Sequence, residues 1–268
     1  MASRVEWNRK VVLVTGGSAG LGLEIARAFI QAGAQVAILG RSPERLAAAQ
    51  RLLGEKCLAV CGDVCSDEDA PRAVQEVVDK LGRLDVLVNN VGKSTRGRAI
   101  DASPADFQEL WEFNFLSAVR MTRATMPHLL AQKGSLVQIG SLASKVGSFH
   151  LGAYAASKFP LAAYSQQLRM ELASEGLHVL LVCPGPIRRD DAGERYAEQA
   201  ANLPPSASAP GGGVKLKGLD PAKVAARIVQ ACERREKELV IPGKARILFA
   251  LSQLSAEWGD WLLQKQMK

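Results

Sequence analysis

The sequence predicts an α/β fold, a doubly wound parallel sheet of about seven strands with helices on both faces. Three observations carry that prediction. Short apolar, β-branched runs alternate with longer helical patterns along all 268 residues. Capping hydroxyls or carboxylates followed by proline fall in the gaps between those runs. A glycine-rich turn joins the first apolar run to the first helical segment.

Val11–Thr15, Gln35–Leu39, Cys57–Cys61, Leu84–Asn89, Ser135–Ile139 and His178–Cys183 read as buried strands, and another follows near Glu238–Ile241. They are nearly continuous apolar runs because a parallel sheet covered on both faces has no polar side to alternate with. Ser42-Pro43 and Ser103-Pro104 each set a capping hydroxyl before a proline at the first helical position. Asp106, three residues after Ser103, makes a capping box with Asp in place of Glu. Asp220-Pro221 opens another helix. A single domain over 1–268 is expected. It carries a mobile substrate-loop segment at 186–219, in which the Pro/Gly/Ala/Ser-rich stretch 202–213 interrupts regular structure. The amphipathic segment 245–268 repeats Ile247, Leu251, Leu254, Trp258 and Trp261 at spacings of three and four. That stripe is expected to pack against the domain or a second subunit, with membrane-surface contact the lesser reading.

Composition narrows the function classes. Hydrophobic residues at 47% and charged residues at 23% are ordinary for a soluble globular protein. No uncharged apolar run reaches the ~18 residues of a membrane span, and the first ten residues lack a signal-peptide core. A cytoplasmic protein with five reduced cysteines is the default expectation. Cys57, Cys61 and Cys65 recur every four residues, but no His or acid completes a ligand spacing, so no metal is expected. The net charge of +7 is scattered and not interleaved with aromatics, which argues against nucleic acid. Handling of a phosphorylated cofactor explains the charge equally well.

The turn Thr15-Gly16-Gly17-Ser18-Ala19-Gly20-Leu21-Gly22 has two readings. Gly16, Gly20 and Gly22 permit a tight turn that brings backbone N–H groups onto a pyrophosphate at a helix N-terminus. Gly16-x-Ser18-x-Gly20 also fits the nucleophile elbow of a serine hydrolase. Only fifteen residues precede Gly16, and His128, His150 and His178 lack a triad context, so the dinucleotide reading is preferred. The second strand ends in Leu39-Gly40-Arg41, without the acid that binds ribose hydroxyls. Arg41 suits a 2′-phosphate, which favours NADP(H) over NAD(H).

Tyr154 and Lys158, four residues apart, share one helix face, and Ser141 lies thirteen residues before the tyrosine. An ammonium beside a phenol favours the phenolate and brings its pKa from ~10 towards the working range. A serine hydroxyl holding the substrate oxygen would then complete a proton-transfer device for an alcohol or carbonyl.

From about residue 10 to 190 the chain resembles the short-chain dehydrogenase/reductase family, of the classical type, whose members have a Rossmann fold. Thr15–Gly22 fits its Thr-Gly-x3-Gly-x-Gly turn, and Asn89-Asn90-Val91-Gly92 is close to Asn-Asn-Ala-Gly. Asn114, Ser141, Tyr154 and Lys158 fall in the order of its catalytic tetrad, and Pro184-Gly185 follows the sixth strand. The resemblance implies that Tyr154 is the general acid/base and that Ser141 bonds the reacting oxygen. It implies that Lys158 holds the nicotinamide ribose and lowers the tyrosine pKa, while Asn114 anchors a proton-relay water. Gly16, Ser18, Gly20, Leu21, Gly22, Arg41, Asp63, Val64, Asn90, Pro184, Gly185 and Ile187 would hold the cofactor, with Asp63-Val64 at the adenine. The family commonly has a Thr four residues after the Gly of Pro-Gly; here Arg189 stands there, leaving Ile187 to meet the carboxamide.

The partner implied is a small carbonyl or alcohol. Lys93, Arg96, Arg98, Arg188 and Arg189 gather at one rim and suggest an anionic or carrier-linked substrate. Leu142, Val146, Phe149 and Leu151 read equally as an apolar pocket wall or as core. The family relation implies a homodimer or homotetramer through helices near 104–131 and 152–175. An NADP(H)-binding redox sensor without turnover is the alternative, and the intact tetrad argues against it. A hydrolase built on Ser18 is the remaining one.

Overall fold

The computed structural model describes residues 5–189, 196–213 and 216–267. Its strands are β1 (Val11–Thr15), β2 (Gln35–Gly40), β3 (Cys57–Cys61), β4 (Val86–Asn89), β5 (Ser135–Ile139), β6 (His178–Pro184) and β7 (Glu238–Ile241). All pair in parallel, in the order β3-β2-β1-β4-β5-β6-β7. The crossovers carry α1 (Gly20–Ala32), α2 (Pro43–Leu53), α3 (Asp69–Leu81), α4 (Pro104–Trp111), α5 (Ser117–Ala131), α6 (Tyr154–Glu171) and α7 (Pro221–Glu233). The strands fall where the apolar runs predict, except that Leu84 and Asp85 stay outside β4.

Successive strand residues point to opposite faces, and each face has its own core. Val12 and Val14 meet Ile25 and Phe29 of α1 and Ile228 of α7. Val11 and Leu13 meet Val74 and Val77 of α3 and Met121 and Leu129 of α5. Every residue of β1 is therefore buried. Each large side chain so buried stabilises the fold by ~1.5–3 kcal/mol.

The helix starts are set by the predicted caps. Ser42 accepts from Arg45 N–H at 3.2 Å, and Asp220 from Ala222 N–H at 3.0 Å. Ser103 and Asp106 form the reciprocal box at the head of α4. A π-helical turn, Glu112–Leu116, then separates α4 from α5.

Two later segments add detail to the sequence reading. Stretch 202–213 contains short 3₁₀ turns at Pro205–Ser208 and Pro210–Gly213, where no regular structure was expected. Residues 190–195 and 214–215 of the wider segment lie outside the described residues. The C-terminal stripe does not pack against its own domain. Ser255 is extended and divides the segment into α8 (Ala245–Leu254) and α9 (Ala256–Met267). Ile247, Leu254, Trp258 and Trp261 are exposed, while Phe249, Leu248 and Leu263 turn inward. No described helix is long and apolar enough to cross a membrane.

Away from the carboxyl ends of the strands, Asp85 ties β1 to β4. Its carboxylate accepts from Val11 N–H at 3.0 Å, Lys10 Nζ at 2.9 Å and Arg83 at 2.8 Å. Burial pushes this carboxyl up, but the bonds from Arg83, Val11 and Lys10 together outweigh it and hold the pKa below the usual range. The stability this contributes is therefore present above a free carboxyl's pKa and lost as pH falls through the lower folded value. Asp85→Asn should cost ~2–3 kcal/mol at neutral pH, less than a fully buried pair because Lys10 and Arg83 are partly exposed. Urea denaturation at pH 7 and pH 3 should show the difference between variant and wild type shrinking in acid.

Candidate active site

A cavity of about 1620 Å³ opens at the carboxyl ends of the strands and is lined by every predicted site residue except Asn114. The strand order reverses direction between β1 and β4, the switch point where doubly wound sheets take ligands. Thr15 and Asn90 hold the two strand ends together there. Thr15 Oγ1 donates to Val88 O and accepts from Asn90 N–H at 3.0 Å, while Asn90 Nδ2 donates to Thr15 O at 3.0 Å.

The glycine turn fits a pyrophosphate. Gly16 and Gly20 have φ of +65° and +55°, in the left-handed region that favours glycine. A Cβ at Gly22 would lie 2.3 Å from Gly16 O, so only glycine permits this closure. Ala19 gives α1 no side-chain cap, which leaves its first N–H groups for an anion. Ser18 lines the same cavity, but its φ is not positive, so it lacks a strained elbow. No described histidine lines the cavity. His178, at the opposite end of β6, lies beside Ser135 and Glu236 O and is pushed down to about 4 by burial. A hydrolase centred on Ser18 has no histidine base in this cavity among the described residues.

At the ribose end, Arg41 lies 3.7 Å from Asp63 and over the Phe113 ring at 5.4 Å. Ser42 and Arg45 line the cavity beside it, two neighbours that sequence reasoning did not assign. Val64, Pro184, Gly185 and Ile187 complete the floor.

Three elements supply the reactive groups. Ser141 follows β5; its hydroxyl accepts from Ala143 N–H and its N–H donates to Ser144 Oγ, each at 3.1 Å. Tyr154 and Lys158 stand one turn apart at the head of α6. Lys158 Nζ donates to Ile139 O at 3.1 Å. Burial pushes the Lys158 ammonium down to about 8 and the Tyr154 phenol up to about 12, with the Ser141 hydroxyl pulling the phenol back. Desolvation is the largest influence on the phenol, and the Ser141 hydroxyl and the Arg96 charge offset part of the rise.

Asn114 sits behind the wall, in the π-helical turn, and is 1% exposed. It accepts from Lys93 N–H at 2.8 Å and donates to Lys93 O and Ser157 Oγ at 2.9 and 2.8 Å. Ser157 in turn donates to Tyr154 O at 2.7 Å. Ser144 and Ser157 were missed because supporting serines have no spacing signature. Gly92 lies between Lys158 and Asn114: a Cβ there would be 3.0 Å from Lys158 Nζ and 3.1 Å from Asn114 Oδ1.

On the substrate side the basic rim is largely committed to partners. Lys93 pairs with Glu109, Arg98 with Asp101 at 3.8 Å and Arg188 with Asp220 at 3.4 Å. Arg96 turns inward, 7% exposed. Leu142, Val146 and Leu151 line the cavity as expected, joined by Leu248 and Leu263 of the C-terminal helices; Phe149 does not line it.

The short chain dehydrogenase family model matches residues 10–200. The ketoacyl reductase HetN of Nostoc sp. (strain PCC 7120) is 32% identical over 257 residues, covering 92% of this chain and 85% of that one. A short-chain dehydrogenase from Streptomyces avermitilis superposes with a TM-score of 0.78 at 30% identity, covering 94% and 95% of the two chains. L-sorbose reductase from Gluconobacter frateurii, solved with NADPH and L-sorbose, gives 0.76 at 25% identity, covering 90% and 97%. The chain belongs to the short-chain dehydrogenase family. It is an oxidoreductase of a family that acts on CH–OH groups of small molecules with a nicotinamide cofactor.

Gly22→Ala should lower cofactor affinity by ~100-fold or more, because the turn must open to admit the methyl group. Fluorescence titration with NADPH reads this, with circular dichroism checking that the sheet persists.

Proposed function

We propose that the protein interconverts a carbonyl and a secondary alcohol with NADP(H), using Tyr154 as general acid/base. The observation that carries this reading is that Ser141, Tyr154 and Lys158 open into the same cavity as the glycine turn. Gly16, Ser18, Gly20, Leu21 and Gly22 would hold the pyrophosphate. Asp63, Val64 and Asn90 would meet the adenosine, and Pro184, Gly185 and Ile187 the nicotinamide, which supplies or accepts the hydride when bound. Arg41, just after β2 and with Ser42 and Arg45 beside it, favours a 2′-phosphate, because no acid stands at the end of β2 to bind the ribose hydroxyls. The NADPH in the L-sorbose reductase structure supports the same choice.

In the reducing direction Tyr154 gives its proton to the substrate oxygen, to which Ser141 also donates. In the oxidising direction Tyr154 takes that proton back. Lys158 stabilises the phenolate as it forms, and Asn114 fixes Lys93 and, through Ser157, the first turn of α6. Proton transfer by a positioned group contributes ~10²–10⁴-fold, and alignment of donor with acceptor supplies much of the rest. A sensor that binds NADP(H) without turnover would need none of this set. With the rim paired, a neutral substrate is favoured over the anionic or carrier-linked one.

A panel of carbonyls screened for NADPH oxidation tests the reaction. Tyr154→Phe should keep NADPH affinity within about twofold while kcat falls ~10³-fold or more; unchanged turnover would remove the mechanism. NADPH should bind at least ~10-fold tighter than NADH, a margin that Arg41→Ala should erase. Equal binding by wild type would remove the cofactor assignment. Trp111, Phe159 and Met170 are exposed on α4 and α6 and support a homo-oligomer through those helices. Sedimentation velocity should give a dimer or tetramer, and a monomer at tens of micromolar would exclude it.

A further inference from the structure

Arg96 is an unusual residue to bury, and its surroundings explain why it is there. Its loop follows β4 and is fastened to the segment that leads into Tyr154. Thr95 Oγ1 donates to Leu151 O at 3.1 Å, Gly97 N–H donates to His150 O at 3.2 Å, and Gly152 N–H donates to Gly97 O at 2.9 Å. From that base the guanidinium reaches across to residues 196–213, about a hundred positions later in the chain. Arg96 Nε donates to Ala207 O at 2.7 Å and Nη2 to Ala209 O at 3.1 Å. Nη1 donates to Thr95 O at 2.9 Å and Ser94 Oγ at 3.2 Å. The backbone N–H of Arg96 donates to Gln199 Oε1 at 2.9 Å, and the guanidinium carbon lies 3.8 Å from the centre of the Tyr196 ring.

These contacts converge on one place. Arg96, Tyr196, Ser208 and Gly211 all line the cavity into which Tyr154 opens. Ala207 is fully buried, so the 3₁₀ turn that carries it is packed down and not merely laid over the surface. The Arg96 charge acts to lower the Tyr154 pKa and Tyr196 acts to raise it, which puts both within electrostatic reach of the phenol.

We infer that Arg96 is a positioning residue that fastens segment 196–213 across the cavity opposite Tyr154, fixing the wall against which the substrate is held. A planar fork with several fixed N–H directions can bond two successive carbonyls and stack on a ring together; a lysine ammonium cannot. The segment's own bonds are short-range turns, such as Ala207 N–H to Pro204 O and Ala209 N–H to Ser206 O, so the buried Arg96 adds a tie to a distant part of the chain. Only the kinetic consequence of this inference rests on the carbonyl-reductase reading; the fastening itself does not.

The test uses the full chain with Arg96→Ala and Arg96→Lys. Amide hydrogen exchange over 199–209 should quicken by about tenfold or more in both variants, and Lys should not rescue it. NADPH affinity should stay within about twofold, because the bonds from Arg96 run to Ser94, Thr95, Ala207 and Ala209, while KM for the carbonyl rises by about tenfold with a smaller change in kcat. Should Arg96→Ala not fold, Gln199→Ala and Tyr196→Leu each remove one contact and should give smaller shifts of the same sign. Unchanged exchange over 199–209, or full rescue by Lys, overturns the inference. A wild-type protein that oxidises NADPH with no carbonyl defeats the proposed reaction instead, and exchange still decides the role of Arg96.

Discussion

The site depends first on the joining of β1 to β4 at their carboxyl ends. Neighbours in the sheet, these strands are separated in the chain by two further strands and their helices, and the loops that leave them diverge. Thr15 and Asn90 bond across the gap and fix the glycine turn relative to the loop that carries Lys93 and Arg96. Gly92, two residues beyond Asn90, lies between Asn114 and Lys158. One small set of polar contacts therefore sets the distance between the phosphate end of the cavity and its reactive end.

The reactive end is held in low polarity, and that shapes its acid–base chemistry. The same desolvation moves Tyr154 up to about 12 and Lys158 down to about 8, since it penalises charge of either sign. In the proposed reaction, proton transfer then draws on the cations of the site. Arg96 pulls the phenol pKa back down while its guanidinium is bonded to backbone carbonyls, and Lys158 is fixed by Ile139 O. These positions come from the end of β5 and the loop after β4, so the electrostatics are built on the sheet and not on α6 alone.

The fold was largely legible in the sequence because the apolar runs, capping hydroxyls and glycine turn are local signals with local causes. Ser42, Ser103 and Asp220 cap the helices that their spacing predicts. Gly16, Gly20 and Gly22 were legible for the same reason. What could not be read depends on distant partners. Lys93 meets Glu109 and Arg188 meets Asp220, so a rim that looks basic in sequence is mostly paired in space. The π-helical turn that carries Asn114 adds a residue to its helical turn and leaves no trace in a 3.6-residue pattern. The C-terminal stripe was harder to read for a related reason: its spacing runs across Ser255, where the helix breaks into two.

That break has a further consequence. The proposed reacting groups stand just after β5, on α6 and in the π-helical turn. Leu248 and Leu263, by contrast, come from two short helices after the last strand, which lay their inner faces on a small core of α5, α6, β6 and β7 and also reach the cavity. One end of the cavity wall is therefore supplied by a part of the chain that carries none of the proposed proton-transfer groups.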